Sequence, residues 1–299
     1  MHTKALPYVG LLSLFWGTNV VASRFGIDQF DPFAFIALRL SIATSFFTLI
    51  FLLQHRTWPR DIVVWRHAAV SGVIGVSIPM TMFILSLQYQ SSGMASIFVT
   101  LTPAMMVIAA HLLLPDERMS RNKGLGVMLA LSGSLFLALR GESGLADVGR
   151  ASPLGFGLVL IGLISEVANA MFVRRRMRAM DPIQVTGIRL LAGALVTGTV
   201  AVLVSDFSWG DVTTAGYFSL FYAALIGALG GQFLAFYITR RFGATAFSLT
   251  SYLIPVVATT FGVILLGEIV TWGMLVGVVC IGGGIYLINR PAQAVLLET

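Results

Sequence analysis

The sequence predicts an all-α integral membrane protein with ten transmembrane helices, arranged as two inverted five-helix repeats with both termini in the cytoplasm. Three observations lead to this prediction: an apolar composition, an internal repeat and ten long apolar runs. Of the 299 residues, 57% are hydrophobic and only 11% are charged, and the mean hydropathy is +0.89. So few charged residues cannot cover a water-soluble globule, and the surroundings of the protein must therefore be lipid.

The internal repeat has a period of 150 residues over its best-matched part. One spacing, Asn-x4-Arg-x6-Asp-Pro-x6-Arg, occurs with Asn19, Arg24, Asp31, Pro32 and Arg39, and again with Asn169, Arg174, Asp181, Pro182 and Arg189. Later pairs match more loosely, such as Pro103 with Pro255 and Glu117 with Glu268. Because a fixed period indicates a repeated structural unit, we predict two copies, residues 1–144 and 145–299.

Ten apolar runs are long enough to cross a hydrocarbon core of about 30 Å as α-helices. They are Leu6–Phe25, Phe33–Leu53, His67–Leu87, Met94–Leu114, Lys123–Leu139, Pro153–Val173, Ile183–Val204, Thr213–Ile238, Ala244–Leu266 and Trp272–Ile288. Helices are expected rather than strands, because an open sheet leaves backbone groups unpaired in lipid and barrel strands would be short and alternating.

The positive charges indicate how the helices are threaded. Of the 19 Lys and Arg residues, 14 fall on one side of the predicted spans and three on the other, while Arg39 and Arg189 lie within helices. Positive residues concentrate on the cytoplasmic side, so both termini are predicted there. Five helices per copy is an odd number, so the second copy must enter the membrane from the opposite face. Inverted repeats of this kind are typical of secondary transporters.

Other functions lack the residues that they need. The net charge of +6 comes from loops between apolar runs, a pattern that does not favour nucleic-acid binding. The chain has one cysteine, Cys280, and four histidines, so neither an internal disulfide nor a metal or other cofactor is expected. An HExxH motif and paired intramembrane aspartates are missing from the sequence, so we do not expect an enzyme.

Polar residues within the apolar runs are candidates for a substrate cavity, because an unpaired polar group in lipid is unfavourable. Trp16 and Asn19 share a face of the first helix, as Glu166 and Asn169 do on the sixth. The complete set of cavity candidates is Trp16, Asn19, Pro79, Phe83, Thr100, Pro103, Glu166, Asn169, Tyr222, Tyr252 and Pro255. The alternative role for such residues is interhelical hydrogen bonding that only holds the bundle together.

Three prolines, Pro79, Pro103 and Pro255, lie inside the runs. Proline removes a backbone hydrogen bond, so we predict kinks or local unwinding at these positions, beside protein or a water-filled cavity. A purely structural bend is the alternative for Pro79, which has no partner in the second copy. The aromatic residues Phe83 and Tyr222 are the candidates for stacking on an apolar or aromatic substrate.

Glu166 is the only carboxylate well inside a run. At 1.5 Å per residue it lies at a depth similar to that of Arg189. Two roles follow: an ion pair with Arg189, or uptake of a proton or of a substrate amine during transport. In the first copy Trp16 stands where the second copy has Glu166, so Arg39, the counterpart of Arg189, has no carboxylate partner at that depth. Arg39 is therefore predicted to reach the outer headgroups or a backbone carbonyl.

Small residues line the helices that close each copy, with Gly126, Ala130 and Ser134 in the fifth and Gly273 and Gly277 in the tenth. Such stripes allow two helices to approach closely. Packing against a neighbour within the chain is the simplest interpretation, and a monomer is expected. A dimer seam along the stripe is the alternative.

Several motifs carry a family resemblance: Phe15-Trp16-Gly17-Thr18-Asn19, the two Asp-Pro helix starts, Pro103 and Pro255, and Leu266-Gly267-Glu268. With these motifs the chain resembles the drug/metabolite transporter superfamily, and within it the ten-helix exporters built from two EamA-type repeats. It is most similar to the bacterial aromatic amino acid exporters. The first copy departs from the pattern, because Leu114-Pro115-Asp116-Glu117 lacks the usual glycine before the glutamate.

The resemblance implies a secondary transporter of the bacterial inner membrane that exports amino acids and related small amphipathic metabolites. Alternating access would run through a central cavity between the repeats, with the substrate and the lipid bilayer as partners. A multidrug or organic cation exporter is the main alternative, because Glu166 suits a cation equally well. An intramembrane enzyme is less favoured, and nucleotide-sugar antiport would require more Lys or Arg residues in the cavity.

Overall fold

A computed structural model describes residues 3–113, 119–147, 152–177, 179–205, 212–242, 246–247 and 249–289. Within these residues the chain is all helical and contains no strand. A 3-10 turn, Thr3–Ala5, leads into the first helix.

The helices follow one another with short connections. Their bounds are α1 Leu6–Gly26, α2 Pro32–Leu53, α3 Ile62–Ser86, α4 Ser92–Leu113, α5 Arg121–Arg140, α6 Pro153–Arg176, α7 Pro182–Val204, α8 in three consecutive pieces (Thr214–Tyr222, Ala223–Gly230 and Gly231–Phe242), α9 Thr250–Leu266 and α10 Trp272–Asn289. In the described part of the chain nine of these helices are long and apolar enough to cross a membrane, and α9 is a shorter apolar helix of 17 residues.

The repeated Asp-Pro pairs begin α2 and α7. The carboxylates of Asp31 and Asp181 each accept hydrogen bonds from two backbone N–H groups of the first helical turn, at 2.8–3.1 Å. These bonds satisfy N–H groups that have no partner within the helix. The following proline, Pro32 or Pro182, occupies the first helical position, where its missing N–H does no harm.

Two helices contain π-helical segments at corresponding places: Val73–Ser77 in α3 and Ala223–Gly230 in α8. A π-helical turn contains an extra residue, so it shifts the register of the backbone hydrogen bonds and is frequent at functional sites. Pro79 lies two residues after the first of these segments. The backbone is therefore irregular near this proline, as predicted.

The structure of α4 also departs from a regular helix near its proline. Its two helical pieces, Ser92–Val99 and Thr102–Leu113, are separated by a turn. Pro103 cannot donate a hydrogen bond to the Val99 carbonyl, and the Thr102 hydroxyl does so instead at 2.8 Å. At Pro255 the backbone is not unwound, because α9 continues as a helix through this residue, and the predicted kink stays a prediction.

The small-residue stripes of α5 and α10 pack against each other. A Cβ atom at Gly126 would lie 2.5 Å from the Gly284 carbonyl oxygen, and one at Gly133 would lie 2.7 Å from the Cys280 Cβ. Larger residues would therefore separate the two helices. The stripe that suggested a dimer seam is covered by the protein's own chain.

Loop-to-loop hydrogen bonds hold one end of the bundle together. The backbone N–H of Ser91 donates to the Ser143 carbonyl, and that of Ile269 donates to the Gly144 carbonyl, both at 2.8 Å. These bonds join the loop before α4, the α5–α6 connection and the α9–α10 loop. At another place the Gln184 side chain of α7 donates to the Thr57 carbonyl at 2.9 Å.

Glu268 reinforces the first of these ends. Its buried carboxylate accepts hydrogen bonds from the N–H and the hydroxyl of Ser92, both at 2.7 Å, and from the Gly93 N–H at 3.3 Å. A negative charge at the N-terminus of a helix is favourable. We call this contact the Glu268 latch. Its predicted counterpart Glu117 lies outside the described residues.

Candidate functional site

Each repeated asparagine lies against a glycine in a π-helical segment of the other half of the chain. Asn169 of α6 contacts Gly75 in α3, and Asn19 of α1 contacts Gly227 in α8. A Cβ atom at either glycine would overlap the asparagine side chain, so each contact needs a residue without a side chain. We name the two sites the Asn169 cluster and the Asn19 cluster.

In the Asn169 cluster the polar groups are paired. The Ser71 hydroxyl of α3 donates to Asn169 Oδ1 at 2.7 Å. The Ser165 hydroxyl of α6 donates to the Ile74 carbonyl at 2.6 Å, inside the π-helical segment. Buried polar groups need such partners. The four residues fix α6 against α3.

The Asn19 cluster lacks these hydroxyls. Ser71 stands four residues before Gly75, and the residue four before Gly227 is Ala223. Phe15 stands where the repeat places Ser165. Consequently Asn19 Oδ1 is buried without a hydrogen-bond partner.

Trp16 places an aromatic side chain beside the Asn19 cluster. It is half buried and packs edge-on against Phe247, with ring centroids 5.9 Å apart. Its indole lies against Gly231, which stands four residues after Gly227 just as Pro79 stands four after Gly75. By this spacing Gly231 is the counterpart of Pro79, which the sequence comparison had left without one.

Tyr222 links α8 to α1 through a hydrogen bond near Trp16. Its hydroxyl shares a hydrogen bond of 2.7 Å with the Thr18 hydroxyl. Thr18 and Asn19 are consecutive residues, so the predicted aromatic candidate Tyr222 lies close to the Asn19 cluster. The pair has no equivalent in the other half, where the matching α6 residue is Ala168.

Glu166 is exposed although it does not face outward. The lipid-facing side of α6 carries the exposed Ile161 and Ile164, about half of whose surface is accessible. At about 100° per residue Glu166 points roughly opposite to Ile164. Its neighbours on that face, Gly162 and Asn169, are buried. Glu166 therefore lies on the inward face of α6, where it keeps accessible surface although protein surrounds most of its carboxyl group.

The predicted ion pair between Glu166 and Arg189 is not formed. Among the described residues the ion pairs within 4.0 Å join other side chains, and the two charges interact only at longer range. Arg189 instead packs its backbone on Gly72 of α3, and its Nε is buried without a partner.

Of the two alternatives predicted for Arg39, the outer headgroups were wrong. Arg39 is only 4% exposed, so it does not reach the headgroups. Its Nη1 donates to the Ser23 hydroxyl at 3.0 Å, and that hydroxyl donates to the Asn19 backbone carbonyl at 2.7 Å. A serine one turn from Asn19 therefore holds the guanidinium inside the bundle.

The remaining candidates have partners away from the two clusters. The buried Thr100 hydroxyl donates to the Ile97 carbonyl within α4, and Tyr252 pairs with the Asn289 amide at 3.5 Å. Phe83 packs on the apolar cluster that includes Leu87. Pro255 is buried in α9, and Pro103 is half buried in α4.

Sequence reasoning missed Ser71, Ser165 and the glycines Gly75 and Gly227. A signal was present, because Ser71 and Gly75 are four residues apart and so share a helix face. The Ile-Gly pairs that end at Gly75 and Gly227 also correspond, but at 152 residues rather than 150. This shift hid the correspondence.

Comparison with known proteins decides the family. The model of the EamA-like transporter family matches the chain twice, over residues 3–139 and 153–290. The chain belongs to the EamA-like transporter family. It is a multi-pass membrane protein of a transporter family, as its apolar helices independently indicate.

Individual relatives cover nearly the whole chain. An uncharacterized transporter of Archaeoglobus fulgidus is 26% identical, over 94% of this chain and 97% of the relative. A chloroplastic WAT1-related protein of Arabidopsis thaliana is 26% identical over 93% of this chain and 67% of the relative. The uncharacterized transporter YoaV of Bacillus subtilis is 25% identical over 93% of this chain and 95% of the relative. A crystal structure that is 19% identical has the same fold, with a TM-score of 0.66 over 96% of this chain and 98% of the other.

Proposed function

We propose that this EamA family member is a secondary transporter of the bacterial inner membrane that exports amino acids and related small amphipathic metabolites. Its substrate would bind between the Asn19 and Asn169 clusters. The observation that carries the proposal is the inward-facing, unpaired carboxylate of Glu166 beside the Asn169 cluster. A charged side chain inside a membrane bundle is energetically costly. Such residues are therefore rare, and they mark the pathways of substrates or ions.

The proposal includes two inverted repeats with both termini in the cytoplasm. Each asparagine cluster is built from an α1-type helix of one half and an α3-type helix of the other, an exchange that a twofold axis in the membrane plane would produce. The loop contacts agree with this threading, since the α3–α4, α5–α6 and α9–α10 connections meet at one end. These three are among the five connections on the side that carries only three of the positive residues.

The difference between the two clusters supports an amphipathic substrate. Glu166 offers a negative charge on the α6 side, and Trp16 offers an aromatic face on the α1 side. An ammonium group is attracted to a carboxylate and to an aromatic face, whereas an apolar or aromatic side chain packs on Trp16. A small molecule with an amine at one end and an apolar group at the other fits both.

Alternating access would require the Glu268 latch to open when the cavity faces that end. The latch joins the α9–α10 loop to the start of α4 at the end formed by the α3–α4, α5–α6 and α9–α10 connections, and we infer that this end is closed. Contacts between connections also occur at the opposite end, where Gln184 donates to the Thr57 carbonyl and Arg56 forms an ion pair with Asp181 at 3.8 Å. Alternating access would require these contacts to open when the cavity faces the cytoplasm.

A second candidate function is export of drugs or other organic cations. The observation that favours it is again Glu166, whose carboxylate has no ion-pair partner among the described residues and would attract any cation. In both cases we propose a monomer whose partners are the substrate and the lipid bilayer, without nucleic acid.

Counterflow tests the proposal. Purified protein is placed in liposomes loaded with one unlabelled compound, and uptake of the same labelled compound is followed for neutral amino acids, aromatic amino acids, organic cations and nucleotide sugars. The proposal predicts counterflow of amino acids, and of aromatic ones most strongly. Counterflow of organic cations alone would favour the second candidate. Counterflow of nucleotide sugars alone would contradict both.

A further inference from the structure

We propose that Arg189 binds the carboxylate of an amino acid whose ammonium group is held by Glu166, so that the substrate bridges α7 and α6 as a zwitterion. This inference rests on the proposed function and deepens it, because it separates amino acids from amines that have no carboxylate. Glu166 and Trp16 account for the ammonium group and the apolar side chain of such a substrate, and Arg189 would account for its carboxylate.

The first argument is that the Arg189 guanidinium is unpaired. Arg189 is half buried, and it forms no hydrogen bond or ion pair with another described residue. Of its three nitrogens only Nε is fully enclosed without a partner, so Nη1 and Nη2 keep accessible surface. A positive charge within a membrane bundle is costly when nothing pairs with it. A ligand carboxylate could accept hydrogen bonds from the two terminal nitrogens, whose fork matches its two oxygens.

The second argument is the comparison with Arg39, the counterpart of Arg189 in the first copy. Arg39 is only 4% exposed, and its Nη1 donates to the Ser23 hydroxyl at 3.0 Å. The repeat places Val173 where the first copy has Ser23. Val173 has no hydroxyl, so the second copy lacks the group that holds the guanidinium in the first. Of the two arginines, Arg189 is therefore the one available to a ligand.

The third argument is that Glu166 and Arg189 lie beside the same turn of α3. Asn169, three residues after Glu166, accepts a hydrogen bond from the Ser71 hydroxyl at 2.7 Å. The backbone of Arg189 packs on the adjacent residue of α3, Gly72. The two charges interact, yet they form no ion pair within 4.0 Å among the described residues. Opposite charges that stand apart in this way can each meet the opposite charge of a zwitterion.

The pair of charges would favour an amino acid over a simple cation. An amine without a carboxylate is attracted to Glu166 but repelled by Arg189, whereas an amino acid meets an opposite charge at both of its ionised groups. Hydrogen bonds to charged groups are the stronger ones, and one of them corresponds to roughly tenfold or more in affinity.

Phenylalanine and phenylalaninamide isolate the carboxylate. Both carry the same ring and, at about pH 6, a protonated amino group. The amide replaces the carboxylate with a neutral group of nearly the same shape. Binding of each compound to purified full-length protein in detergent is measured by titration calorimetry. We expect the wild-type protein to bind phenylalanine roughly tenfold or more tightly than phenylalaninamide.

Variants of Arg189 test the assignment. Arg189→Gln removes the charge, so we expect phenylalanine binding to weaken roughly tenfold or more, while phenylalaninamide binding stays the same or strengthens. Arg189→Lys keeps the charge without the forked donor and should retain part of the preference for phenylalanine. Arg24→Gln removes an arginine that pairs with Asp28 at the end of α1. It is the matched control and should bind both compounds as the wild type does.

Equal affinity of the wild-type protein for the two compounds would overturn the inference, as would failure of both to bind. An Arg189→Gln variant that keeps the preference for phenylalanine, or that loses both compounds, would overturn it as well. Amino acid counterflow by the same preparation would in each of these cases still support the proposed function. Binding of phenylalaninamide but not of phenylalanine, together with no amino acid counterflow, would contradict both.

Discussion

The Asn169 and Asn19 clusters are built on the same helix-to-helix contact, but the side chains around that contact differ in polarity and charge. We call this shared contact the frame. Both consist of an asparagine packed on a glycine in a π-helical segment of the other half. Around Asn169 stand Glu166, Ser165 and Ser71. The equivalent positions around Asn19 are occupied by Trp16, Phe15 and Ala223, in the same order. The frame is thus the shared structural requirement, and the side chains around it determine what each half can bind.

Replacing Glu166 would remove the largest chemical difference between the clusters. We expect Glu166→Gln to lower the kcat/KM for amine substrates about tenfold to a hundredfold, because hydrogen bonds to charged groups are the stronger ones. If Glu166 carries a proton, the pH dependence of transport should also disappear. Unchanged pH dependence in the variant would exclude that role. Glu142→Gln, far from both clusters, is the control.

The shared frame predicts equal effects of two glycine substitutions. Gly75→Ala and Gly227→Ala would each push a Cβ atom into an asparagine side chain. Overpacking of this kind lowers the free energy of unfolding by about 1–3 kcal/mol. Thermal unfolding in detergent measures the effect. Gly198→Ala, where a Cβ atom meets nothing within 4 Å, is the control and should be neutral. Effects that differ greatly between the two sites would contradict a common frame.

Ser71→Ala would make the Asn169 cluster resemble the Asn19 cluster. Asn169 Oδ1 would lose its partner, and we expect the free energy of unfolding to fall by about 1 kcal/mol. Thermal unfolding again provides the measurement, with Ser132→Ala on the exposed surface of α5 as the control. A neutral Ser71→Ala would mean that the hydroxyl does not stabilise the cluster.

The smallest expected effect lies outside both clusters, at Glu142 in the α5–α6 connection. Partial burial alone would raise the pKa of Glu142, but hydrogen bonds from Thr271, Arg140 and the Gly273 N–H outweigh it and hold the pKa below its ordinary value of 4.5. A lowered pKa stabilises the folded state above the ordinary value, and this stabilisation is lost as the pH falls through the folded-state pKa.

Glu142→Gln should therefore lower the melting temperature slightly at pH 7, and the difference from wild type should shrink as the pH drops below 4.5. Melting temperatures measured between pH 7 and pH 3.5 in buffers of constant ionic strength test this. A difference that grows on acidification would contradict the assignment. Both clusters should keep their behaviour in this variant.

The sequence predicted the helical class and the approximate position of each helix because long apolar runs are an unambiguous signal in lipid. It also predicted the starts of α2 and α7, since Asp-Pro supplies both a cap and a residue without N–H. The partners of Asn19 and Asn169 were not predictable. They lie on α3 and α8, where the repeat spacing shifts by two residues and the π-helical turns rotate the helix faces.

Charge placement inside the bundle was harder to predict. Sequence depth placed Glu166 level with Arg189, but the two side chains form no ion pair within 4.0 Å among the described residues. For Arg39 the decisive partner was Ser23, a residue whose hydroxyl could equally have bonded only to its own helix. Depth follows from sequence spacing, whereas rotation depends on packing against other helices.

Thiol labelling tests most directly the central claim that both clusters open onto one water-filled cavity. In a Cys280→Ala background, which removes the only cysteine, single cysteines are introduced by Asn19→Cys, Glu166→Cys and Ile164→Cys. We predict that a water-soluble thiol reagent modifies the first two and leaves the third, on the lipid-facing side of α6, unmodified. Modification at position 164 with none at 19 or 166 would contradict the account.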